Sequence, residues 1–411
     1  MIQAIVKNSA RLSLSLGLAA VLSVPAAAVK VSPVINARLL GGQYFFENQD
    51  SDLSGNVGVT AAPAVTLNEQ WTLIPTLSGS WRGTKSVKDL VGGGTLFQQT
   101  QDHAVNFKAV WSPLRAWQFK TSGGYRIQLL KETADEKWGK GLFDFEKEST
   151  NLEAERSLGE ESSLRLGYDF YHINFRNYAS LESQEKNLGR ENAGSKTLNT
   201  DNHGFYLAYR TPFPFFGGQK ARAEGSYFFT RRGFTDQKIV LLSGDLSGKG
   251  RRDSSHILSS SLELPFAFSE NVKLLSTLGM TLNLLSSNQN NYDAGKTRFN
   301  SNYYAYKEVS VAPGFNLLLG QRPWILSAGF TYVRRNYSDR PVQDSGGAYG
   351  TDKIHANEYY ANFGLTYPVT RNLRFQALNH LGWSRSNMKY EQTYRYNYRT
   401  FSYLLGVVYD Y

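Results

Sequence analysis

The side chains that could do chemistry in this chain of 411 residues are its charges, its histidines and its tyrosines. It carries 45 Lys and Arg against 35 Asp and Glu, a net charge of +10. The six histidines are His103, His172, His203, His256, His355 and His380. No G-x-S-x-G or H-E-x-x-H motif surrounds any of them. His256 follows Ser254 and Ser255, the one place where a serine–histidine pair is near in sequence, and Asp253 is a loop carboxylate of the kind an acid protease uses. With no cysteine, disulfides, thiolate metal sites and lipid-anchoring thiols are excluded. No EF-hand loop or His cluster is present, so no metal or cofactor is expected. The basic residues are spread along the chain in short pairs such as Arg231-Arg232, without a basic arm, which argues against nucleic acid as a partner.

The charges are instead arranged by alternation. Around Lys120, the residues Trp117, Phe119, Tyr125, Ile127 and Leu129 share one parity, while Gln118, Lys120, Ser122, Gly124, Arg126 and Gln128 share the other. Around Lys273, Val272, Leu274, Leu278, Met280 and Leu282 oppose Lys273, Thr277, Thr281 and Asn283. Period-two alternation is the signature of strands with one apolar and one polar face. The same parity argument puts Arg38, Lys108, Lys120, Arg126, Arg165, Arg210, Arg222, Lys273 and Arg374 on the polar face. It adds the acidic Glu153, Asp169, Glu224, Glu263, Glu308 and Glu358, and Tyr304, Tyr306 and Tyr360, aromatic surfaces on which a sugar ring can stack.

Composition says which kind of sheet this is. Aromatic residues are 14% and charged residues 19%, with 25 Tyr and 24 Phe. Mean hydropathy is −0.41. No segment after the N-terminus approaches the apolar length of about 20 residues that a membrane helix needs. A β-barrel in a membrane escapes that test, because only every second residue must be apolar. Residues 1–28 read as a cleaved secretory signal: Lys7 and Arg11, an apolar run from Leu12 to Val24, then Ala26-Ala27-Ala28. Cleavage there leaves 411 − 28 = 383 residues, 29–411.

Seven short turns recur roughly every 50 residues: TLNEQWTL, SPLRAWQF, SLGEESSL, PFFGGQKAR, FSENVKL, LGQRPWIL and YPVTRNLRF. Longer polar segments lie between them, such as TKSVKDLVGGGTLFQQTQD, LESQEKNLGRENAGSKTLNTD, TDQKIVLLSGDLSGKGRRDSS and SDRPVQDSGGAYGTDK. The pattern predicts sixteen strands, near 34–47, 55–67, 70–83, 103–113, 116–130, 147–158, 162–176 and 203–213, then 219–233, 255–268, 271–286, 303–318, 322–337, 355–368, 371–388 and 397–411. The sixth, ESTNLEAERSL, is the weakest because glutamates interrupt it. Alternating short and long connections are what an outer-membrane barrel shows, with short periplasmic turns and long extracellular loops. Trp71, Trp117, Trp324, Phe213, Phe268 and Tyr367 flank the short turns as a periplasmic girdle; Trp81, Tyr125, Tyr332 and Trp383 form an outer one.

The chain ends YLLGVVYDY. Gly406, Tyr409 and Tyr411 stand at the spacing Gly-x-x-aromatic-x-aromatic with the last aromatic terminal, and Leu404 stands where the pattern prefers a polar residue. This ending resembles the C-terminal assembly signal of bacterial outer-membrane β-barrel proteins of the porin-like class. The resemblance implies an all-β, transmembrane antiparallel up-and-down barrel read by the barrel-assembly machinery of a Gram-negative outer membrane, with lipid and lipopolysaccharide around it. By analogy with sixteen-stranded porins, a homotrimer is an expectation.

The strands consume residues 29–411, leaving no plug or separate periplasmic domain. A ring of sixteen strands is wide enough for an aqueous channel. The leading expectation is therefore a channel, not an enzyme, that passes small hydrophilic solutes or ions through a polar, mildly basic lumen, constricted by one of the long loops. A scaffold or sheath for an export or electron-transfer complex is the alternative, and an outer-membrane hydrolase built on His256 is a third reading.

Overall fold

The computed structural model describes residues 29–47, 52–88, 95–133, 135–159, 161–179, 193–292, 298–391 and 395–411. The signal segment, residues 89–94 of the first long polar segment and residues 181–192 of the second lie outside the described residues.

Sixteen long strands form the wall. They are β1 (Ile35–Phe46), β2 (Asp52–Ala61), β3 (Trp71–Lys88), β4 (Thr95–Leu114), β5 (Trp117–Lys131), β6 (Phe145–Ser157), β7 (Ser163–Asn174) and β8 (Thr200–Pro214). Then come β9 (Lys220–Val240), β10 (Leu246–Ser269), β11 (Val272–Ser287), β12 (Tyr306–Leu319), β13 (Trp324–Gln343), β14 (Tyr349–Pro368), β15 (Leu373–Ser386) and β16 (Tyr398–Asp410). Short pieces at Lys30–Ser32 and Ala64–Thr66 pair with each other and extend β1 and β2 past Pro33 and Pro63, where a ladder donor is missing. Each strand pairs antiparallel with the next, and β16 pairs with β1, Asn36 opposite Asp410 through Phe46 opposite Thr400. The sheet is a closed antiparallel barrel with no free edge.

Closure reaches the last residue. Ile35 N–H donates to the Tyr411 carbonyl at 2.9 Å, and Tyr411 N–H donates to the Ile35 carbonyl at 2.8 Å. Inside this seam two glycines are reciprocal. A Cβ at Gly406 would overlap the Leu39 carbonyl oxygen, and one at Gly42 would overlap that of Tyr403. At neighbouring Gly41 a Cβ meets nothing within 4 Å.

The alternation acquires its physical meaning in three dimensions. Leu39, Val57, Leu77, Val105, Leu166, Leu258, Met280 and Phe363 are large apolar side chains that stay exposed, all on the outer face. Their register partners are likewise apolar, Leu39 facing Val57 and Val407, and Leu258 facing Leu282 and Tyr227. An apolar belt of this extent in water would be untenable; facing lipid it is the stabilising surface. The few buried apolar residues on this face, Leu67, Leu73 and Ala109, pack where the extension of β2 meets β3 and β4.

Parts of the girdles are chains of aromatic contacts. At the short-turn end Trp71 stacks on Trp111 at 5.7 Å, Trp111 touches Phe119 and Phe119 stacks on Trp117. Trp324 meets Tyr367 edge-on at 4.8 Å. At the opposite end Tyr332, Tyr359 and Trp383 follow one another at 5.2 and 5.4 Å.

Two expectations are corrected here. The polar segments TDQKIVLLSGDLSGKGRRDSS and SDRPVQDSGGAYGTDK, and the described ends of TKSVKDLVGGGTLFQQTQD, are not loops but strand extensions, because β9 runs to Val240 before β10 begins at Leu246, β13 runs to Gln343 before β14 begins at Tyr349, and β3 runs to Lys88 while β4 begins at Thr95. Pairing continues through register shifts, while the apolar alternation that marks a lipid-facing strand is lost above the membrane. The sixth strand is not weak: Glu153 and Glu155 both bond Lys120 on the inner face, leaving Leu152 and Ala154 to the outer one.

Candidate functional site

The inner face of the wall is polar, and most of its charges are matched across strands. Lys120 on β5 binds Glu153 at 2.6 Å and also Glu155, both on β6. Arg126 on β5 donates from Nε to Asp102 on β4 at 2.9 Å. Glu224 on β9 accepts from Arg210 on β8 at 2.8 Å and from Arg165 on β7 at 2.7 Å. Arg335 on β13 donates to Glu308 on β12 at 2.7 Å. Arg374 on β15 binds Asp410 on β16, which also accepts from Asn36 on β1 at 2.5 Å, so one carboxylate ties the three strands at the seam.

The remaining candidates are placed on the same face without such partners. Arg222 lies 3.9 Å from Glu161 at a turn and directly opposite Glu263 in register. Glu358 accepts from the Tyr360 hydroxyl at 2.7 Å. Arg38, Lys108 and Lys273, with Arg82 and Lys147, meet no carboxylate among the described residues; nor do Asp169, Glu263 and Glu358 meet a cation within ion-pair distance. Tyr306 and Tyr360 lie on inward-facing positions of β12 and β14, whereas Tyr304 precedes β12 and sits under the Arg251 guanidinium at 3.7 Å.

Several participants escaped the sequence reading. Asp102, Glu155 and Arg335 complete ion pairs, and each shares parity with a residue already assigned inward; Asp410, on the polar parity of the last strand, completes another. At the long-loop end several polar side chains are deeply buried, among them Gln237, Gln289, Asn202 and Asp253. Arg251 donates to Asp253 at 2.7 and 3.1 Å and to Gln237 at 2.9 Å, and Gln289 holds the β9 end through Val240 N–H and the Lys238 carbonyl. Asp253 is thus a buried strand residue neutralised by Arg251, not the loop carboxylate expected. Among the described residues no three His, Asp or Glu side chains converge on a metal-sized site.

His256 is on the outer face, as expected, but its partner is not serine. Its Nδ1 lies 2.8 Å from the Tyr227 hydroxyl and its ring rests on Phe229 at 4.9 Å. Ser255 points the other way and donates to Asn283 at 2.9 Å. His203 repeats the arrangement with Tyr168 at 2.7 Å. Tyrosine–histidine pairs beside the aromatic belt are interfacial anchors.

An even-numbered, closed antiparallel barrel with an apolar outer belt between two aromatic girdles has one known setting. The chain is a bacterial outer-membrane β-barrel. No known family profile and no curated protein sequence matches this outer-membrane barrel. Its outline is similar to solved structures of outer-membrane proteins. One is OmpT of Vibrio cholerae, with 12% identity, a TM-score of 0.44, and 94% of this chain and 99% of that chain covered. Another is the outer membrane protein OpdK from Pseudomonas aeruginosa, with 10% identity, a TM-score of 0.47, and 92% and 99% covered. A third is a bacterial polysaccharide outer membrane secretin, with 11% identity, a TM-score of 0.41, and 92% and 98% covered.

Proposed function

We propose that this outer-membrane barrel is a passive channel through which small hydrophilic solutes and ions diffuse. The observation that carries the reading is the ion-paired, hydroxyl- and amide-rich inner face of a sixteen-stranded ring, a circumference that leaves an aqueous interior where an eight-stranded ring is filled by its own side chains. No covalent chemistry is part of the mechanism. Solutes are filtered by size and by the charges the wall leaves unmatched.

Those charges set the ion preference. Cross-strand pairs cancel much of the fixed charge at short range, and unmatched Arg38, Arg82, Lys108, Lys147 and Lys273 outweigh Asp169, Glu263 and Glu358. A mild preference for anions follows, because rings of wall charge bias the ions that enter. Proteoliposome swelling tests the reading. Small sugars and amino acids are expected to enter at rates falling with size, and liposomes that swell no faster than protein-free ones would refute it.

A further inference from the structure

One stretch of the inner wall differs from the rest. Across β12 to β16 a cavity of about 380 Å³ opens on the inward face. Gly314, Gly329 and Gly364 recess the wall there, and Asn316, Ser327, Asn362, Thr366, Gln376, His380 and Ser402 line it. No Asp, Glu, Lys or Arg contributes to it. It lies between two charged levels, Arg335–Glu308 on one side and Arg374–Asp410 on the other.

Its polar groups are only partly used. Ser327 donates to the Asn316 amide oxygen at 2.7 Å, and His380 Nδ1 lies 2.6 Å from that of Asn362. Among the described residues, both amide NH₂ groups, the Gln376 side chain and the Thr366 hydroxyl keep donors and acceptors without a protein partner. At the edge of the cavity Tyr360 supplies an aromatic surface. Its ring leans over Gly382, stacks on His380 at 5.7 Å, and is fixed by the hydroxyl's bond to Glu358.

We propose that this cavity is a binding subsite for an uncharged polyhydroxylated solute, a saccharide of one or two rings. The chemistry selects that class. An anion finds no cation there and a cation finds no carboxylate, so neither recovers its lost hydration. Amides and hydroxyls that both donate and accept match the vicinal hydroxyls of a sugar. Leu378 and Leu404 in the lining offer its C–H face an apolar contact. The volume lies in the range of small-molecule sites.

This inference deepens the channel reading and rests on it for its role, but the binding is testable without conductance. Saturation-transfer NMR on the full chain folded in detergent micelles would compare glucose, glucuronate and glucosamine, which share one ring and differ in charge. Glucose is expected to bind about tenfold more tightly than either charged relative, a factor worth about 1.4 kcal/mol. An Asn362→Leu, Gln376→Leu double variant is expected to lose the glucose signal, with heat-modifiable mobility showing that it folds. Equal transfer to the three sugars on the native sequence would overturn the proposal whether or not the variant folds; so would an undiminished signal in a folded variant. Glucose-selective transfer by a protein that is silent in bilayers would sink the channel and keep the subsite. Conductance without sugar discrimination would do the reverse.

Discussion

A residue's value in this protein depends on which side of the wall it stands. Leu258 is an outward side chain 57% exposed, whereas Ser259 next to it faces inward within 3.3 Å of Thr281. Leu258→Arg puts a guanidinium in lipid and is expected to cost about 2 to 4 kcal/mol if the position is near the midplane. Ser259→Arg places the same group on the polar inner face, and its effect on stability is expected to be much smaller. Urea titration of both variants in lipid vesicles checks the contrast. Glu308 gives the matching test for charge. Glu308→Gln leaves the Arg335 cation without its carboxylate, and the reversal potential in a salt gradient is expected to move toward anion selectivity. A move toward cations would contradict the assignment of this pair to the conducting wall. The inward placement of Lys120, Arg126 and Lys273 was legible in the sequence, because parity within one strand carries it. Their pairing was not. Glu224 bonds Arg165 two strands away, and Arg374, Asp410 and Asn36 meet only because the barrel closes. Those contacts depend on register and circumference, which no local spacing encodes.

At the scale of the element, the seam between β1 and β16 is the most constrained part of the wall. Glycine in a strand often marks a close backbone approach, and Gly42 and Gly406 are such a pair. Gly42→Ala and Gly406→Ala are each expected to hinder closure, whereas Gly41→Ala, whose Cβ meets nothing within 4 Å, is expected to fold normally. The shift between folded and heat-denatured mobility on a gel reads closure directly. Normal folding of Gly42→Ala would refute the steric account. The seam also supplies a structural reason for Gly406, which the sequence offered only as part of the proposed assembly signal with Tyr409 and Tyr411. Deleting Tyr411 removes both of its backbone bonds to Ile35 and is expected to lower the amount of folded protein in the outer membrane. All sixteen strands were readable from alternation and turn chemistry: Asn68 accepts from the Gln70 and Trp71 N–H groups at 2.9 Å, and Gly320 takes a φ of 91°. The extensions of β3, β4, β9, β10, β13 and β14 were not, since the rule that finds strands is a rule about lipid. Beyond the membrane both faces are polar, and the signal disappears while the ladder continues.

The whole molecule inverts the usual globular plan. Its lipid-facing side chains are apolar, its ion pairs line the inner face, and Arg251, Asp253 and Gln237 form a buried polar network at the extracellular end. A barrel of this kind has no need of cysteine, because closure pairs every strand on both sides. The network at the rim binds the β9–β10 hairpin to the segment before β12, and Asp253→Ala would leave the Arg251 cation buried without its carboxylate; loss of a buried partner costs about 3 to 5 kcal/mol. Whether solutes pass through the interior, as proposed, is the central question, and single-channel recording in planar bilayers addresses it most directly. The account predicts steady, ohmic conductance steps with mild anion selectivity from the purified, heat-modifiable protein. Folded protein that inserts and leaves the bilayer silent would contradict it.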